Sequence, residues 1–588
     1  RFAEALTNRG GVMLALKRPE EALGSFDAAL AIDPGIVEAW NNRGNVLSAI
    51  GRHEEAVTSY DRVLAARPQL FEAQVNRGTA LLASRRVGEA LASYDEAVRM
   101  RPDSVDALNG RGNALFELKR FEEAIRDYED VLRLDPERAY ARGNLAFCRL
   151  HCCDWRSLNG DREALETAIG QAKPVVNPFQ DLALSRSAAA QKQCAALWVA
   201  DKYPAAPKPL WNGERYAHEK IRIAYLSADF RDHAVAQSLA GVLEGHDRTR
   251  FETTAMSWGP SDESEMRTRL ARAFDHFVNV DGMTDSDFAH RLREMEIDIA
   301  VDLMGFTGEC RPGVLALRPA PIQVNYLGFP GTMGAPYMDC LIADRLVIPE
   351  TDQHHYSENI VYLPDCYLPT DSKRRIANAP TRREAGLPET GFVFASFNNS
   401  YKFSPELFDI WMRLLRAAEG SVLWLAGVNS AATRNLKREA EARNIDAGRL
   451  VFAPFLAKSE DHLARLKLAD LFLDTLPYNA HATAADALWA QVPLVTVKGS
   501  TFAGRVAASM LQAVGLTELI AESLDSYEAL ALNLARDPLA LAAVKAKLAI
   551  NRGTHPLFDT ARFARNLEAV YIEMWERQQR GETRASIG

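Results

Sequence analysis

Polar side chains stand where an apolar run of this chain ends, and their types suit a phosphorylated ligand. The stretch DLFLDTLPYNAHATAAD (470–486) passes from an apolar run through a proline and two polar residues, Asn479 and His481, into a helical pattern. This order predicts a strand, a loop and a helix start. A helix N-terminus offers unpaired N–H groups to a phosphate, and Asp486 can reach a ribose hydroxyl. The alternative is an ordinary loop histidine and a first-turn acid favoured by the helix dipole.

Further polar groups follow other predicted strands. They lie in SADFRDHAVAQSL, FNNSYKFSP and AKSEDHLARLKLAD: Asp229, Asp232, His233; Asn398, Asn399, Lys402; Lys458, Ser459, His462, Arg465. Because the carboxyl ends of parallel strands share one edge of a sheet, we expect these groups to face a common cleft. A lysine and helix N-termini can neutralise a diphosphate there. The plainer interpretations are a helix-cap histidine at 233, a solvated lysine at 402 and a surface histidine at 462.

Two other ligand classes have little support in the sequence. No D-x-D pair or histidine cluster of the chain suggests a divalent cation site. The glycine-rich GFPGTMG (328–334) follows a predicted strand but lacks an acidic partner about 20 residues later, as a dinucleotide fingerprint requires.

The elements that position these groups begin with an internal repeat of 34 residues. Four columns recur in register over the first 150 residues: Pro34, Pro68, Pro102, Pro136; Gly10, Gly44, Gly78, Gly112; Ala22, Ala56, Ala90, Ala124; Phe26, Tyr60, Tyr94, Tyr128. Small residues let paired helices approach closely, the aromatic residue fills the next layer, and proline ends the second helix. The pattern resembles tetratricopeptide repeats, four of them with a partial fifth.

An asparagine column in these repeats is a candidate peptide-binding surface. Its members share one repeat position, which Gly110 occupies in one copy: Asn8, Asn42, Asn76 and Asn144. Stacked repeats present a concave face that suits an extended peptide, and amide side chains can bind its backbone. The alternative is that these residues cap or bridge neighbouring repeats.

The rest of the chain alternates strand and helix patterns. A helical connector is predicted over 150–219, followed by strand candidates such as IRIAYLS, IDIAVDLMG, PIQVNYLG, GFVFASF, SVLWLAG, RLVFAPF and PLVTVKG. Such alternation favours parallel sheets covered by helices, and its length favours two of them. The predicted domains are 1–149, 150–219, 220–375, 376–550 and a closing helix in 551–588.

Composition bounds the class of protein. The chain has 588 residues, 47% of them hydrophobic, and a net charge of −9, so neither nucleic acid nor an anionic membrane is an expected partner. No apolar run reaches the length of a membrane span. Seven cysteines without zinc-ligand spacing favour a reducing, cytoplasmic setting. The start at Arg1 suggests a trimmed N-terminus with further repeats upstream.

Several long motifs occur in a characteristic order. They are IRIAYLSADFRDH, LALRPAPIQVNYLGFPGTMGAPYMD, FNNSYK, LADLFLDTLPYNAHATAADALWA and TFAGRVAASML. Together with the repeats they resemble the O-linked N-acetylglucosamine transferase family and its bacterial SPINDLY-like relatives over essentially the whole chain. The resemblance implies an α plus α/β fold class: a tetratricopeptide-repeat superhelix followed by a GT-B region of two Rossmann-like domains. It also implies inverting, metal-independent transfer from a nucleotide sugar to Ser or Thr of a polypeptide, without a further cofactor.

The resemblance implies roles near the reacting atoms for His233, Lys402 and Asn399. His233 matches a histidine that faces sugar and acceptor and has been considered as a base, and Lys402 matches the lysine that holds the diphosphate. Asn399 stands where the animal enzymes have a glutamine near the diphosphate. The base stays open, since Asp302 at the end of IDIAVD or the donor phosphate could also take the proton.

Nucleotide contacts are implied in the same way. His462 matches a histidine that stacks on uracil, and Arg465 follows at the family spacing. His481 and Thr483 match the loop that binds the phosphates, and Asp486 matches the ribose carboxylate.

Departures from the animal pattern concern the sugar and the ribose. Leu327 and Pro330 match residues of the sugar pocket, but Tyr478 replaces a small cysteine near the N-acetyl group, and its ring would narrow that pocket. Ser459 stands where a ribose-binding lysine is expected, and Ala482 replaces a threonine beside the phosphates. Because His481 and Asp486 are retained, we expect a UDP-sugar donor, most simply UDP-N-acetylglucosamine. Transfer of glucose, fucose or rhamnose, N-linked transfer, and an inactive scaffold stay open as alternatives, as does assembly into a homo-oligomer.

Overall fold

The protein is described by a computed structural model that covers residues 2–260, 262–427, 429–582 and 586–587. The chain divides into two compact units, Arg1–Arg149 and Leu150–Gly588. The finer domain boundaries given above remain predictions.

The first unit is built of helices that pack in consecutive pairs. Their bounds are α1 Phe2–Ala15, α2 Pro19–Ile32, α3 Val37–Ala49, α4 His53–Ala66, α5 Phe71–Ala83, α6 Val87–Met100, α7 Val105–Glu117, α8 Phe121–Leu134 and α9 Ala141–His151, the last of which contains the unit boundary. Each of the first four pairs is one copy of the 34-residue period. The predicted tetratricopeptide repeats are confirmed.

The glycine and aromatic columns pack directly on each other. A Cβ atom on Gly44 would lie 2.7 Å from the ring of Tyr60, and one on Gly78 would lie 2.9 Å from the ring of Tyr94. Side chains do not tolerate such distances in a packed interior. The glycine column is therefore a close-approach surface for the aromatic ring of the same repeat.

A polar ladder that the sequence reading missed joins consecutive repeats. Arg43 donates from Nε to Asp27 Oδ1 at 2.7 Å and from Nη1 to Ser59 Oγ at 2.8 Å. The same arrangement recurs one period later in Arg77, Asp61 and Ser93. Each arginine thus contacts side chains 16 residues away on both sides of it. In the sequence, the recurrence of an acid 16 residues before each arginine and a serine 16 residues after it would have identified this ladder.

Two members of the asparagine column bridge neighbouring repeats. Asn76 Nδ2 donates to Asn45 Oδ1 at 3.1 Å, and Asn144 Nδ2 donates to Asn113 Oδ1 at 3.3 Å. These contacts match the alternative interpretation, in which the asparagines bridge neighbouring repeats. The other members are exposed or half-buried: Asn8 and Asn42. Peptide binding by this column remains a prediction.

We expect Gly44→Ala to weaken the second repeat, because its new methyl group would overlap the Tyr60 ring. Overpacking of this kind costs about 1–3 kcal/mol. Hydrogen exchange of the α3 and α4 amides in the full chain measures it as faster exchange.

The matched control is Gly24→Ala, in the middle of α2, where an added Cβ would meet nothing within 4 Å. Alanine is the better helix former, so this variant should gain about 0.5–1 kcal/mol. Equal exchange rates in Gly44→Ala and the wild type would contradict the packing account.

The second unit opens with three helices, α10 Leu158–Gly170, α11 Pro178–Leu184 and α12 Ala188–Lys202. A parallel sheet follows, with strands β1 Ile221–Ser227, β2 Phe251–Ser257, β3 His276–Asn279, β4 Ile299–Asp302, β5 Ile322–Asn325, β6 Cys340–Ala343 and β7 Asn359–Tyr362. Its order is β3-β2-β1-β4-β5-β6-β7. The intervening helices are α13 Ala234–Glu244, α14 Glu265–Ala273, α15 Asp285–Glu294 and α16 Pro312–Ala316.

A second parallel sheet starts about 30 residues further on. Its strands are β8 Val393–Ser396, β9 Val422–Ala426, β10 Leu450–Ala453, β11 Leu471–Leu473, β12 Leu494–Val497 and β13 Ile520–Ala521, in the order β10-β9-β8-β11-β12-β13. The helices are α17 Pro405–Ala417, α18 Ser430–Ala442, α19 Ser459–Leu466, α20 Ala482–Trp489, α21 Val506–Ala513, α22 Leu524–Arg536, α23 Pro538–Asn551 and α24 Thr560–Arg580. Short 3-10 helices are Glu350–His355, Ser400–Lys402, Ala447–Arg449, Thr517–Leu519 and Pro556–Phe558.

The fold class predicted from the sequence, helical repeats followed by two Rossmann-like sheets, is confirmed. Strand β2, the second strand from one edge of the first sheet, was not predicted. Its sequence FETTAMS is polar, but Thr253 and Thr254 are buried, and Thr253 Oγ1 donates to Asp275 Oδ2 at 3.1 Å. A buried hydroxyl with a partner suits a strand interior, which hydrophobic patterning does not reveal.

The C-terminal helix α24 returns to the first sheet. Tyr225 Oη on β1 lies 2.8 Å from His246 Nε2, and His246 Nδ1 lies 3.1 Å from Glu568 Oε1 on α24. This buried chain of hydrogen bonds joins the sheet to a helix more than 300 residues later. Within the described ranges, every helix is too short or too polar to span a membrane.

Candidate active site

The strand order of each sheet reverses beside its first strand. In the first sheet the reversal lies between β1 and β4, and in the second between β8 and β11. Loops on the two sides of such a point part and leave a crevice at the carboxyl ends of the strands, where ligands of open α/β sheets bind. The predicted site residues that follow β1, β4, β8 and β11 all lie at these two crevices.

Lys402 is the buried cation of the second crevice. It ends the short helix after β8 and is only 8% exposed, so it is not the solvated lysine of the plainer interpretation. Its Nζ donates to the backbone oxygen of Asn479 at 2.8 Å and lies 3.9 Å from the centre of the Tyr478 ring. Burial lowers the pKa of Lys402 to about 7, and the nearby carboxyl of Asp474 opposes that shift.

Asp474 organises the loop opposite this lysine, and the sequence reading did not single it out. Its buried carboxylate accepts from the backbone N–H of Thr475 at 2.7 Å and of Ala480 at 2.6 Å, and from Thr496 Oγ1 at 2.5 Å. Burial raises the pKa of Asp474 to about 7. Its position directly after the apolar strand LFL was the feature of the sequence that could have identified it. Three bonds to one carboxylate fix the loop that carries Tyr478 and His481.

The loop ends at the start of α20. His481 precedes the helix, and its Nε2 lies 3.1 Å from the backbone oxygen of Ala503. Burial, and then the charge of Lys402, hold the pKa of His481 well below its ordinary value. Thr483 Oγ1 donates to Asn398 Oδ1 at 2.9 Å, which ties this helix start to the loop after β8. Lys402, Tyr478, His481 and Thr483 therefore form one group.

A second group lies one turn along α20. Asp486 Oδ1 is 2.7 Å from Arg374 Nη2, and its Oδ2 is 3.7 Å from His462 Nε2. Arg465 Nη2 lies 3.0 Å from His462 Nδ1. Burial lowers the pKa of His462, so a neutral imidazole is favoured. A neutral aromatic ring beside a carboxylate suits a nucleoside, because one can stack on a base and the other can bind hydroxyls.

Arg374 was absent from the predicted site. It lies between the two sheets, in a segment that the sequence reading treated as a domain break. Its Nη2 is also 3.3 Å from Ser459 Oγ, the position at which the resemblance led us to expect a lysine. Asn399, by contrast, is exposed and precedes the short helix of Lys402.

His233 stands at the first crevice, before α13. Its side chain is 41% exposed, and Nδ1 lies 3.4 Å from the backbone nitrogen of Val235 and 3.3 Å from Asp229 Oδ2. It is thus the helix cap of the plainer interpretation, yet it also faces a carboxylate. Partial burial lowers the pKa of His233, and Asp229 opposes that shift.

Asp302 ends β4 beside β1. Its two carboxylate oxygens accept from the backbone N–H of Met304 at 2.9 Å and of Gly305 at 3.2 Å. Burial raises its pKa to about 6. This is the geometry of a strand-end acid that binds backbone, and it leaves neither oxygen without a hydrogen bond.

The loop after β5 closes against the end of β4. Leu327 is half-buried and has a φ of +71°, and Pro330 is buried. A Cβ atom on Gly328 would lie 2.0 Å from the backbone oxygen of Leu303, so only glycine fits between the two loops. Leu327 and Pro330 are therefore placed at the same crevice as Asp302, which is compatible with the sugar-pocket role that the resemblance implies.

Among the described residues, no group of three or more His, Cys, Asp or Glu side chains is arranged to hold a metal ion. The two Rossmann-like sheets and their crevices define the GT-B class of fold. The chain belongs to glycosyl transferase family 41, whose model matches residues 185–378 and 370–567, and a tetratricopeptide-repeat model matches 12–71 and 75–147.

Two relatives illustrate this membership. A probable UDP-N-acetylglucosamine–peptide N-acetylglucosaminyltransferase of Arabidopsis thaliana, SEC, is 38% identical over 364 residues, which are 61% of this chain and 37% of that protein. SPINDLY of Petunia hybrida, which carries the same descriptive name, is 31% identical over 383 residues, 63% of this chain and 40% of the relative. The chain thus aligns with about two fifths of these relatives.

A solved structure resembles the present one over most of its length. It is a mutant of the O-GlcNAc transferase of Thermobaculum terrenum, with a TM-score of 0.68 and 27% identity. The match covers 92% of this chain and 98% of that one.

The buried lysine makes stability depend on pH. The pKa of Lys402 in the folded protein is lowered to about 7. Above about pH 7 the folded protein therefore loses the Lys402 proton while the unfolded chain keeps it. The free energy of unfolding then rises with pH. Relative to Lys402→Met, the wild type should gain about 2 kcal/mol from about pH 7 to about pH 9. Urea unfolding followed by tryptophan fluorescence measures this difference.

Lys208→Met, which removes an exposed lysine, is the control and should run parallel to the wild type. Parallel curves for Lys402→Met and wild type would show that the folded protein keeps Lys402 protonated across this range.

Proposed function

We propose that this chain is a protein O-glycosyltransferase that moves a sugar, most simply N-acetylglucosamine from UDP-N-acetylglucosamine, to Ser or Thr of polypeptides. The observation that carries the proposal is Lys402, a lysine buried at the switch point of the second sheet against the loop that leads into α20. That helix carries Asp486, the carboxylate that faces His462. Family membership and the printed names of the relatives support it. The repeats would bind the acceptor and supply binding energy remote from the reacting atoms.

The reaction we assign is a single inverting displacement. The acceptor hydroxyl oxygen attacks the anomeric carbon, the bond from that carbon to the diphosphate oxygen breaks, and UDP leaves with the electron pair. Lys402 and the N–H groups at the start of α20 stabilise the negative charge that develops on the diphosphate. The proposal gives this task to protein groups rather than to a metal ion, and transfer that persists in EDTA tests that assignment.

The hydroxyl proton must go to a base, and His233 is our first candidate. The two contacts of its Nδ1 require opposite tautomers, because an atom that accepts from Val235 N–H cannot donate to Asp229. When Nδ1–H donates to the Asp229 carboxylate, Nε2 is unprotonated and can accept a proton. Asp302 is a weaker candidate because both of its oxygens already accept backbone N–H groups. The donor phosphate is the third acceptor that the proposal keeps.

The sugar and nucleotide are the finest part of the proposal. Tyr478 is buried, and its ring lies between Lys402 and His481, 4.9 Å from the latter ring. A ring at this place narrows the space beside the diphosphate, which keeps a sugar without an N-acetyl group, such as glucose, rhamnose or fucose, as the second candidate. A UDP-linked donor and a GDP-linked fucose donor differ in the base that His462 would contact.

Nucleotide binding should take up a proton at Lys402. In the protein without nucleotide, Lys402 has a pKa of about 7. A bound diphosphate favours the charged form of this lysine. We expect UDP affinity to fall by up to about tenfold per pH unit from about pH 7 to about pH 9. Calorimetric titration in two buffers of different ionisation enthalpy measures both affinity and proton uptake.

Lys402→Arg is the matched control, since a guanidinium stays charged and should bind UDP with little pH dependence. Lys402→Ala and His462→Ala should both weaken binding. Stronger binding of GDP would move the donor towards fucose, and a wild type that bound neither nucleotide would favour the scaffold alternative over an enzyme.

His233→Ala should lower the rate of transfer by about 10²–10⁴-fold if this histidine is the base, with UDP affinity unchanged. The same variant should also lose the acidic limb of the pH–rate profile. Transfer to a Ser/Thr peptide and hydrolysis of the donor without acceptor are the two assays. Asp229→Asn should lower the rate in the same direction by disfavouring the required tautomer. A change below about tenfold in His233→Ala would overturn its assignment as the base and leave the donor phosphate and Asp302 as the candidate acceptors.

A further inference from the structure

Three side chains from different parts of the second unit meet between the two sheets. Arg374 Nη2 lies 3.3 Å from Gln237 Oε1 and 3.3 Å from Ser459 Oγ, and Ser459 Oγ donates to Gln237 Oε1 at 3.0 Å. We call these residues the Arg374 cluster. Gln237 belongs to α13 of the first sheet and Ser459 begins α19 of the second. The cluster therefore connects the two sheets through one guanidinium.

The orientation of the glutamine is set from its other end. Gln237 Nε2 donates to Asp232 Oδ1 at 2.7 Å, which turns Oε1 towards Arg374. A guanidinium presents several donors in a fixed plane, so it can bind more than one acceptor at once. The hydrogen bonds from the first sheet therefore hold the plane of Arg374 in place.

The same guanidinium also holds the carboxylate of the second sheet. Arg374 Nη2 and Asp486 Oδ1 are 2.7 Å apart, with side chains only 12% and 15% exposed. Water screens such a pair less than an exposed one. A carboxylate has about four lone-pair sites on its two oxygens, so Asp486 can pair with Arg374 and still accept from two hydroxyls.

A cavity adjoins the cluster. Its volume is about 660 Å³, and its walls include Gln237, Arg374, Ser459 and the neighbouring Ala457 and Lys458. That size is within the range of about 300–1,000 Å³ that small-molecule sites occupy. The cluster thus forms one wall of this cavity, whereas Asp486 and His462 are not among the residues that line it.

We propose that Arg374 is a positioning residue for the ribose of the donor. It fixes the Asp486 carboxylate so that both ribose hydroxyls can donate to it, and through Gln237 it makes this arrangement depend on closure of the first sheet onto the second. The inference rests on the proposed function, because it assigns Asp486 to the ribose. Beyond the proposed function, it assigns a role to Arg374, which lies in the segment between the sheets. It also couples ribose binding to closure of the first sheet onto the second.

The test is a titration of the full chain with UDP and with 2′,3′-dideoxyuridine diphosphate, which lacks both ribose hydroxyls. We expect Arg374→Ala to weaken UDP binding by at least tenfold and to change binding of the dideoxy analogue by less than threefold. Gln237→Ala should give the same pattern with a smaller loss. Arg374→Lys, which keeps the charge but not the planar set of donors, should recover only part of the affinity.

The control is Arg383→Ala, an exposed arginine further along the same segment and outside the walls of that cavity, which should change neither affinity by more than threefold. Equal losses for both ligands in Arg374→Ala would place its effect on the diphosphate or on the fold and overturn the ribose role. Unchanged UDP binding would also overturn the inference while leaving the proposed function intact. A wild type that bound neither nucleoside diphosphate would overturn both.

Discussion

The burial of one ammonium group is the constraint on which the candidate site depends. Lys402 lies among aromatic rings and backbone, and the carboxyl of Asp474 is the charge that opposes its desolvation. A buried cation with little compensation is costly in the free protein. In the proposed function the same environment favours an anionic ligand, because a diphosphate would supply the missing charge in a medium that screens little.

The rest of the second unit places groups around that lysine. The reversal of strand order in each sheet opens a crevice, and hydrogen bonds from Asp474 shape the loop that brings Tyr478 and His481 to Lys402. Gly328 lets the loop after β5 touch the end of β4. Arg374 then connects Asp486, on a helix of the second sheet, to Gln237, on a helix of the first. The two sheets are therefore joined by polar contacts as well as by the chain.

The sequence predicted the candidate site unevenly. Residues directly after apolar strands could be found, because period and strand exits are local signals, and the family resemblance gave them roles. Arg374 and Asp474 were missed for different reasons. Arg374 lies in an irregular segment whose partners are 85 to 137 residues away along the chain. Asp474 was missed because nothing in the sequence shows that its carboxylate accepts three hydrogen bonds.

By itself, the sequence determined the repeat period, the existence of two parallel sheets and the strand exits that bear polar groups, since each of these rests on spacing within one segment. Only the tertiary structure decided which polar groups are buried together. It showed that Asn76 and Asn144 bridge repeats, that Asp302 binds backbone, and that Lys402 is desolvated. Burial and hydrogen-bond partners depend on contacts between distant segments, and no local pattern encodes them.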